Sequence, residues 1–187
     1  REALDANTTG HSNTAVGKSS MGENTTGNNN TAVGVNSFLS NSTGGENIAV
    51  GNYALDANTT ANKNTAVGYL SLSDNTTGAD NTAVGNRAQA SSTTATKNVA
   101  IGVDALTACT DGSAQTAVGW NALKSNTTGS SNVAVGYRSL DASTTGTNCV
   151  AVGDDALGEN TTASNNTAVG YHALAANTTG TVNTTIG

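Results

Sequence analysis

Apolar residues return at four positions of a unit that repeats along the whole chain. Val-Gly or Ile-Gly pairs end at Gly17, Gly34, Gly51, Gly68, Gly85, Gly102, Gly119, Gly136, Gly153, Gly170 and Gly187. Every step is 17 residues, and eleven steps account for all 187. Numbering the unit from slot 1 to that glycine at slot 17 gives the consensus x-x-Ala/Ser-Leu-x-x-Asn-Thr-Thr-Gly-x-x-Asn-Thr/Val-Ala-Val-Gly. The apolar slots are 3, 4, 15 and 16. Slots 13–16 place β-branched residues on alternate positions, as a short strand does. Slots 3–5 read as a second, weaker strand. Gly at slot 17, and Gly or Ala at slot 10, mark corners that need positive φ or a close backbone approach.

A unit of this length is too short for a helical hairpin repeat, which needs about 33 residues. A leucine-rich horseshoe fails because a single Leu recurs per unit. One β-solenoid coil per unit remains. The predicted fold is therefore all-β: a parallel β-solenoid (β-roll) forming one repeat domain over 1–187. Its coils are 1–17, 18–34, 35–51, 52–68, 69–85, 86–102, 103–119, 120–136, 137–153, 154–170 and 171–187. With coils ~4.8 Å apart, the rod is roughly 50 Å long.

Asn recurs at slot 13 as Asn13, Asn30, Asn47, Asn64, Asn81, Asn98, Asn132, Asn166 and Asn183, with Gln115 and Cys149 in the other two coils. Slot 7 is Asn in eight coils; Ser92, Cys109 and Ser143 are its exceptions. Amides stacked at one coil spacing can hydrogen-bond to each other and to the turn backbone, as in cross-β stacks.

The pattern also speaks to assembly. Neighbours on a strand face opposite sides. With slots 3 and 4 both apolar, and 15 and 16 likewise, one set should fill the coil and the other point outward. Leu and Val are expected inside, Ala and Ser outside. An apolar stripe along the whole rod is too long to leave to water. A parallel homo-oligomer follows, with a trimer favoured because three rolls close around one axis. The alternative is a monomer whose Ala/Ser face is tolerated.

Composition narrows the function. Pro is absent, aromatics are 3% and charged residues 11% of the chain, and the net charge is −6. That charge balance excludes a phosphate-neutralising nucleic-acid binder. No stretch approaches the ~18 apolar residues of a membrane span, so no membrane insertion is expected. Arg1 already sits within a repeat, and the chain reads as a fragment of a longer protein whose export signal, tip or anchor lies outside it.

Candidate chemistry is sparse, and neither enzyme activity, nor a cofactor, nor a metal is expected. His11 and His172 stand ten coils apart. Cys109 and Cys149 lie on different corners, beyond the ~5.5 Å Cα spacing of a disulfide, and read as buried free thiols. Slot 2 stacks Arg87 by Asp104, and Arg138, Asp155 and His172 in successive coils, a solvated charge ladder of little energetic weight. Asp154, Asp155 and Glu159 are close in sequence, but nothing marks them as the facing acid pair of a glycosidase. Trp120 beside Tyr137 at slot 1 could hold a sugar ring, though such pairs are more often cross-coil packing. Thr fills slots 8 and 9 in ten coils each. One rank should point outward, which keeps ice binding as an alternative function. The Asn-Thr-Thr triplets match the N-glycosylation pattern only as a by-product of the repeat.

Asn-Thr-Ala-Val-Gly and Asn-Val-Ala-Ile-Gly resemble the head repeats of trimeric autotransporter adhesins. The longer unit from Trp120 to Gly136 is similar to repeats of phage tail fibres. The adhesin resemblance implies a left-handed, trimeric parallel β-roll; the Asn-Thr-Thr-Gly segment is extra to those units. Both resemblances imply a structural shaft or head segment of an extracellular fibre, on a cell surface or a virion. Its partners would be its own copies and, at most, a cell-surface glycan. An extracellular filament subunit is the further alternative.

Overall fold

The computed structural model describes residues 2–187; Arg1, the first residue of coil 1–17, lies outside the described residues. The chain winds as a β-solenoid. Each coil contributes one three-residue strand at slots 14–16, from β1 (Thr14–Val16) to β11 (Thr184–Ile186). The eleven strands form a single parallel sheet in sequence order. The register is one repeat per step, so Ala15 pairs with Ala32 and Val99 of β6 (Val99–Ile101) with Thr116 of β7 (Thr116–Val118). Unbroken in-register stacking follows from the constant coil length, which sets each slot directly over the same slot of the next coil.

The expected second strand at slots 3–5 is not there. In every coil after the first, slots 1–6 form a run of turns. Slots 2 and 4 have φ between about +50° and +60°, as at Asn121 (φ 57) and Leu123 (φ 51). Slot 12 does the same, as at Ser131 (φ 59). A left-handed residue breaks the two-residue alternation of a strand, and the neighbours at slots 3 and 4 then both point inward. Ala122 and Leu123 are each fully buried.

The expected orientation of the strand is also reversed. Its middle residue, the slot 15 Ala, is buried in β2 to β10, from Ala32 to Ala168. The Val or Ile at slot 16 and the Thr, Val or Ile at slot 14 face outward. The thin coil explains this. Ser20 Oγ and Ser37 Oγ, at slot 3, donate across the interior to the carbonyls of Ala32 and Ala49 at 3.1 and 2.8 Å. Walls that close leave space for Ala or Ser between them. The slot 4 side chains, Leu55, Leu72, Leu106, Leu123, Leu140 and Leu157 among them, fill the wider part.

Two glycine corners work by different means. At slot 17, Gly102 has φ +134, and a Cβ there would lie 2.4 Å from the carbonyl oxygen of Gly119. At slot 10 no positive φ is involved. There the constraint is close approach, since a Cβ on Gly112 would meet the Gly129 oxygen at 2.2 Å.

Those slot 10 carbonyls are where both Asn ranks converge. Gly44 oxygen accepts from Asn30 Nδ2 of the coil before (2.9 Å) and from Asn41 Nδ2 of its own coil (3.0 Å). Within the slot 7 rank, Asn41 Nδ2 donates to Asn24 Oδ1 at 2.6 Å and Asn58 Nδ2 to Asn41 Oδ1 at 3.1 Å. Within the slot 13 rank, each Oδ1 accepts the backbone N–H of the next coil, as from Asn64 to Asn47 at 2.9 Å. A fully satisfied buried network of this kind rigidifies the coil.

Where the ranks are interrupted, buried groups lose partners. Asn75 Oδ1 faces Ser92, which is too short to donate, and Gln89 Oε1 is also unpartnered. Asn126 Oδ1 accepts from Gln115 Nε2 at 3.2 Å, and Asn126 Nδ2 is left without a partner. Orphaned groups cost about 1–3 kcal/mol each. The double substitution Gln89→Leu with Ser92→Asn returns coil 86–102 to the consensus. It is expected to raise stability by at least about 1 kcal/mol, read as a higher midpoint in urea unfolding.

Candidate functional site

The candidate site is the outward face of the sheet. It is built from slot 14 (Thr in seven coils, Ile48, Val99, Val133 and Val150 in the others) and slot 16 (Val, with Ile101 and Ile186). Strand alternation points both ranks away from the coil, and in-register stacking lines them up along the rod. Over all eleven strands no side chain of either rank is charged. Several remain well exposed, among them Ile48, Ile101 and Val152. Charge depletion is one mark of an interface core, and here it is combined with a slot 14 rank in which Thr supplies seven of the eleven side chains. Slot 1 follows across the corner glycine and adds Val35, Tyr69, Val103, Trp120, Tyr137 and Tyr171, all exposed.

Trp120 and Tyr137 are brought together: their ring centroids are 5.0 Å apart and their planes 11° from parallel. The separation matches the coil spacing of ~4.8 Å, so each ring covers one flat face of the other. Sugar recognition uses the open flat face of an aromatic ring, and this stack presents mainly edges.

One Thr rank points outward, as expected. Slot 8 is half-buried over most of the rod, and its hydroxyls donate to the slot 8 carbonyl of the next coil, as from Thr25 to Ser42 (2.9 Å) and from Thr127 to Thr144 (3.1 Å). Slot 9 is exposed in every coil. Of the Asn-Thr-Thr triplets, Asn7, Asn177 and Asn183 near the rod ends are half-buried, while the side chains of Asn24, Asn58, Asn75, Asn126 and Asn160 are fully buried. The fully buried amides are therefore closed to glycan transfer in the folded rod.

Comparison of the chain with family models, with curated proteins and with solved structures finds no match. The face must be read from its own chemistry.

Among the described residues no three His, Cys, Asp or Glu are placed to hold a metal, and no helix is long and apolar enough to cross a membrane. Cys109 and Cys149 are free and buried. Burial pushes the Cys109 thiol up to about 11 and raises that of Cys149, which keeps both as unreactive thiols. Of the slot 2 charges, Arg87 reaches Asp104 at 3.5 Å. Arg138 turns to Asp141 at 2.9 Å, and Asp155 instead faces His172 at 3.8 Å.

One carboxylate is perturbed. Partial burial, with Asp74 nearby, raises Asp56 from its ordinary 3.8 to about 6. A raised folded pKa means that folding favours the protonated form, so stability falls as pH rises from about 4 to about 6. Asp56→Asn removes this loss. The variant is expected to melt higher than the parent at pH 7.5 and at nearly the same temperature at pH 4. Paired thermal melts across that range check it.

Proposed function

We propose that this chain is a structural segment, shaft or head, of an extracellular fibre used for attachment, carried on a cell surface or a virion. Copies of the chain pack in parallel through the charge-free strand face, with three around one axis. The observation that carries this reading is that face: two outward β-branched ranks without a charge along eleven coils. An uncharged strip running along the whole rod is the kind of surface that marks an interaction site. The role is mechanical and involves no catalytic step, cofactor or metal. Backbone ladders and two Asn ranks tie each coil to the next, which suits a stiff spacer that holds a binding tip away from its base. The likeness of the Asn-Thr-Ala-Val-Gly units to adhesin heads and tail-fibre repeats supports the same reading.

The ice-binding alternative draws less support. The slot 8 hydroxyls are committed to backbone carbonyls, and the flat face carries Thr-x-Val in place of paired Thr ranks. Small-angle X-ray scattering of the purified chain tests the fibre reading. The expected profile is a straight particle roughly 50 Å long with the cross-section of several rods. A single-rod cross-section at every concentration would count against it, and ice-growth inhibition by such a single rod would favour the alternative.

A further inference from the structure

A face that repeats every 17 residues carries a problem for assembly. Sliding one copy along another by one coil puts Val on Val and Thr on Thr again, so the periodic ranks do not define an axial register. Only departures from the repeat can. The largest exposed departure is the Trp120–Tyr137 stack, with 45% and 50% of these side chains open to solvent. Its ring planes lie across the rod axis, since the rings stack at the coil spacing. Two fins set across the axis act as a tooth against sliding.

The second departure matches the first coil for coil. Slot 14 loses its Thr hydroxyl in two consecutive coils only at Val133 and Val150. These belong to coils 120–136 and 137–153, the coils that carry Trp120 and Tyr137 at slot 1. We propose that Trp120 and Tyr137 of one copy pack on Val133 and Val150 of the next copy, and that this contact sets the axial register of the parallel assembly. The inference rests on the self-association proposed above.

Area supports a second copy as the occupant. Eleven three-residue strands make a strip of about 50 by 10 Å, or ~500 Å². Stable interfaces bury ~800 Å² on each partner. The strip alone falls short of that, so a stable contact has to extend onto a flank, and slot 1 with Trp120 and Tyr137 is a flank that carries exposed aromatic side chains. A one-coil slide would move the aromatic tooth onto Thr116 or Thr167, where it meets a hydroxyl-bearing rank.

The test reads register by disulfide capture, because a disulfide forms only when Cα atoms come within about 7 Å. Val84→Cys chains are mixed with Ile101→Cys chains, one coil apart on slot 16, and oxidised; native Cys109 and Cys149 are buried. Like-position links should exceed links between the two variants by about tenfold, as one aromatic contact of this size provides. In a Trp120→Asn/Tyr137→Asn background, and separately in Val133→Thr/Val150→Thr, the two yields should become comparable while the assembly mass is unchanged. Both backgrounds use residues the coil already accepts, Asn52 and Asn86 at slot 1 and Thr116 at slot 14. An unchanged like-position preference at unchanged mass overturns the register inference and leaves the assembly standing. A parent chain that sediments as a monomer overturns both.

Discussion

Gly102→Ala is expected to lower the stability of the rod by about 3–5 kcal/mol, placing it in the most damaging class of single substitutions. Two costs combine. The residue has φ +134, a conformation that L side chains rarely adopt, and such strain alone is about 1–3 kcal/mol. The added Cβ would also stand 2.4 Å from the Gly119 oxygen and 2.7 Å from its carbonyl carbon. Both are backbone atoms fixed by the next coil, so no flexible side chain can move aside. Gly112→Ala makes the control. Its Cβ is as crowded, but its φ is not positive, and Ala61, Ala95 and Ala163 already occupy that slot. It carries the crowding without the positive φ, so it should be the less damaging of the two by about 1–3 kcal/mol. Because coils interact only with their neighbours, a lesion at Gly102 should split urea unfolding into separate transitions for the two halves of the rod. A single unshifted transition in Gly102→Ala would refute the corner assignment.

Leu123→Ala is expected to cost about 2–5 kcal/mol, the range for removing a buried Leu into a space that cannot collapse. Leu123 is fully buried with Leu106 and Leu140 in the coils before and after it. Backbone bonds hold those coils apart: Leu123 N–H donates to Ser139 and Leu106 N–H to Ala122, at 3.0 and 2.9 Å. The walls therefore cannot close over the cavity. Val118→Ala, on the outward rank, should change the stability of an isolated chain by no more than about 0.5 kcal/mol. Denaturant midpoints of the two variants, measured below the association concentration, separate an inward Leu from an outward Val. Equal losses would mean that the strand faces the other way.

That contrast marks what the sequence could and could not disclose. Coil length, strand position and register were legible, because the Val-Gly pairs recur without a slip and the β-branched alternation at Thr116-Ala117-Val118 is a strand signal by itself. So were the positions of the two Asn ranks. The inside and outside of the coil were not. The alternation rule assumes an extended backbone, and slots 2, 4 and 12 are left-handed without being glycine, as Asn121, Leu123 and Ser131 show. Leu in that conformation carries no compositional mark. The reversal at the strand has a similar root: hydrophobicity ranks Val above Ala for burial, but the gap bridged by Ser37 Oγ to Ala49 oxygen admits only the smaller side chain. The slot 8 Thr hydroxyls were equally hidden, because their bonds run to a carbonyl 17 residues away. The candidate face was therefore predicted to exist but assigned to the wrong residues, Ala and Ser in place of Thr, Val and Ile.

The outward face of Thr, Val and Ile is the surface proposed to join copies of the chain. Sedimentation equilibrium of the parent and of Val84→Lys/Val118→Lys tests this directly. Both substitutions place a charge on an outward, half-exposed position, so each rod should fold as before by circular dichroism. The parent is expected at three times the chain mass of 18.4 kDa, and the lysine variant at that single mass. A parent that stays monomeric, or a lysine variant that keeps the parent's mass, would contradict the assignment of the strand face as the contact between copies.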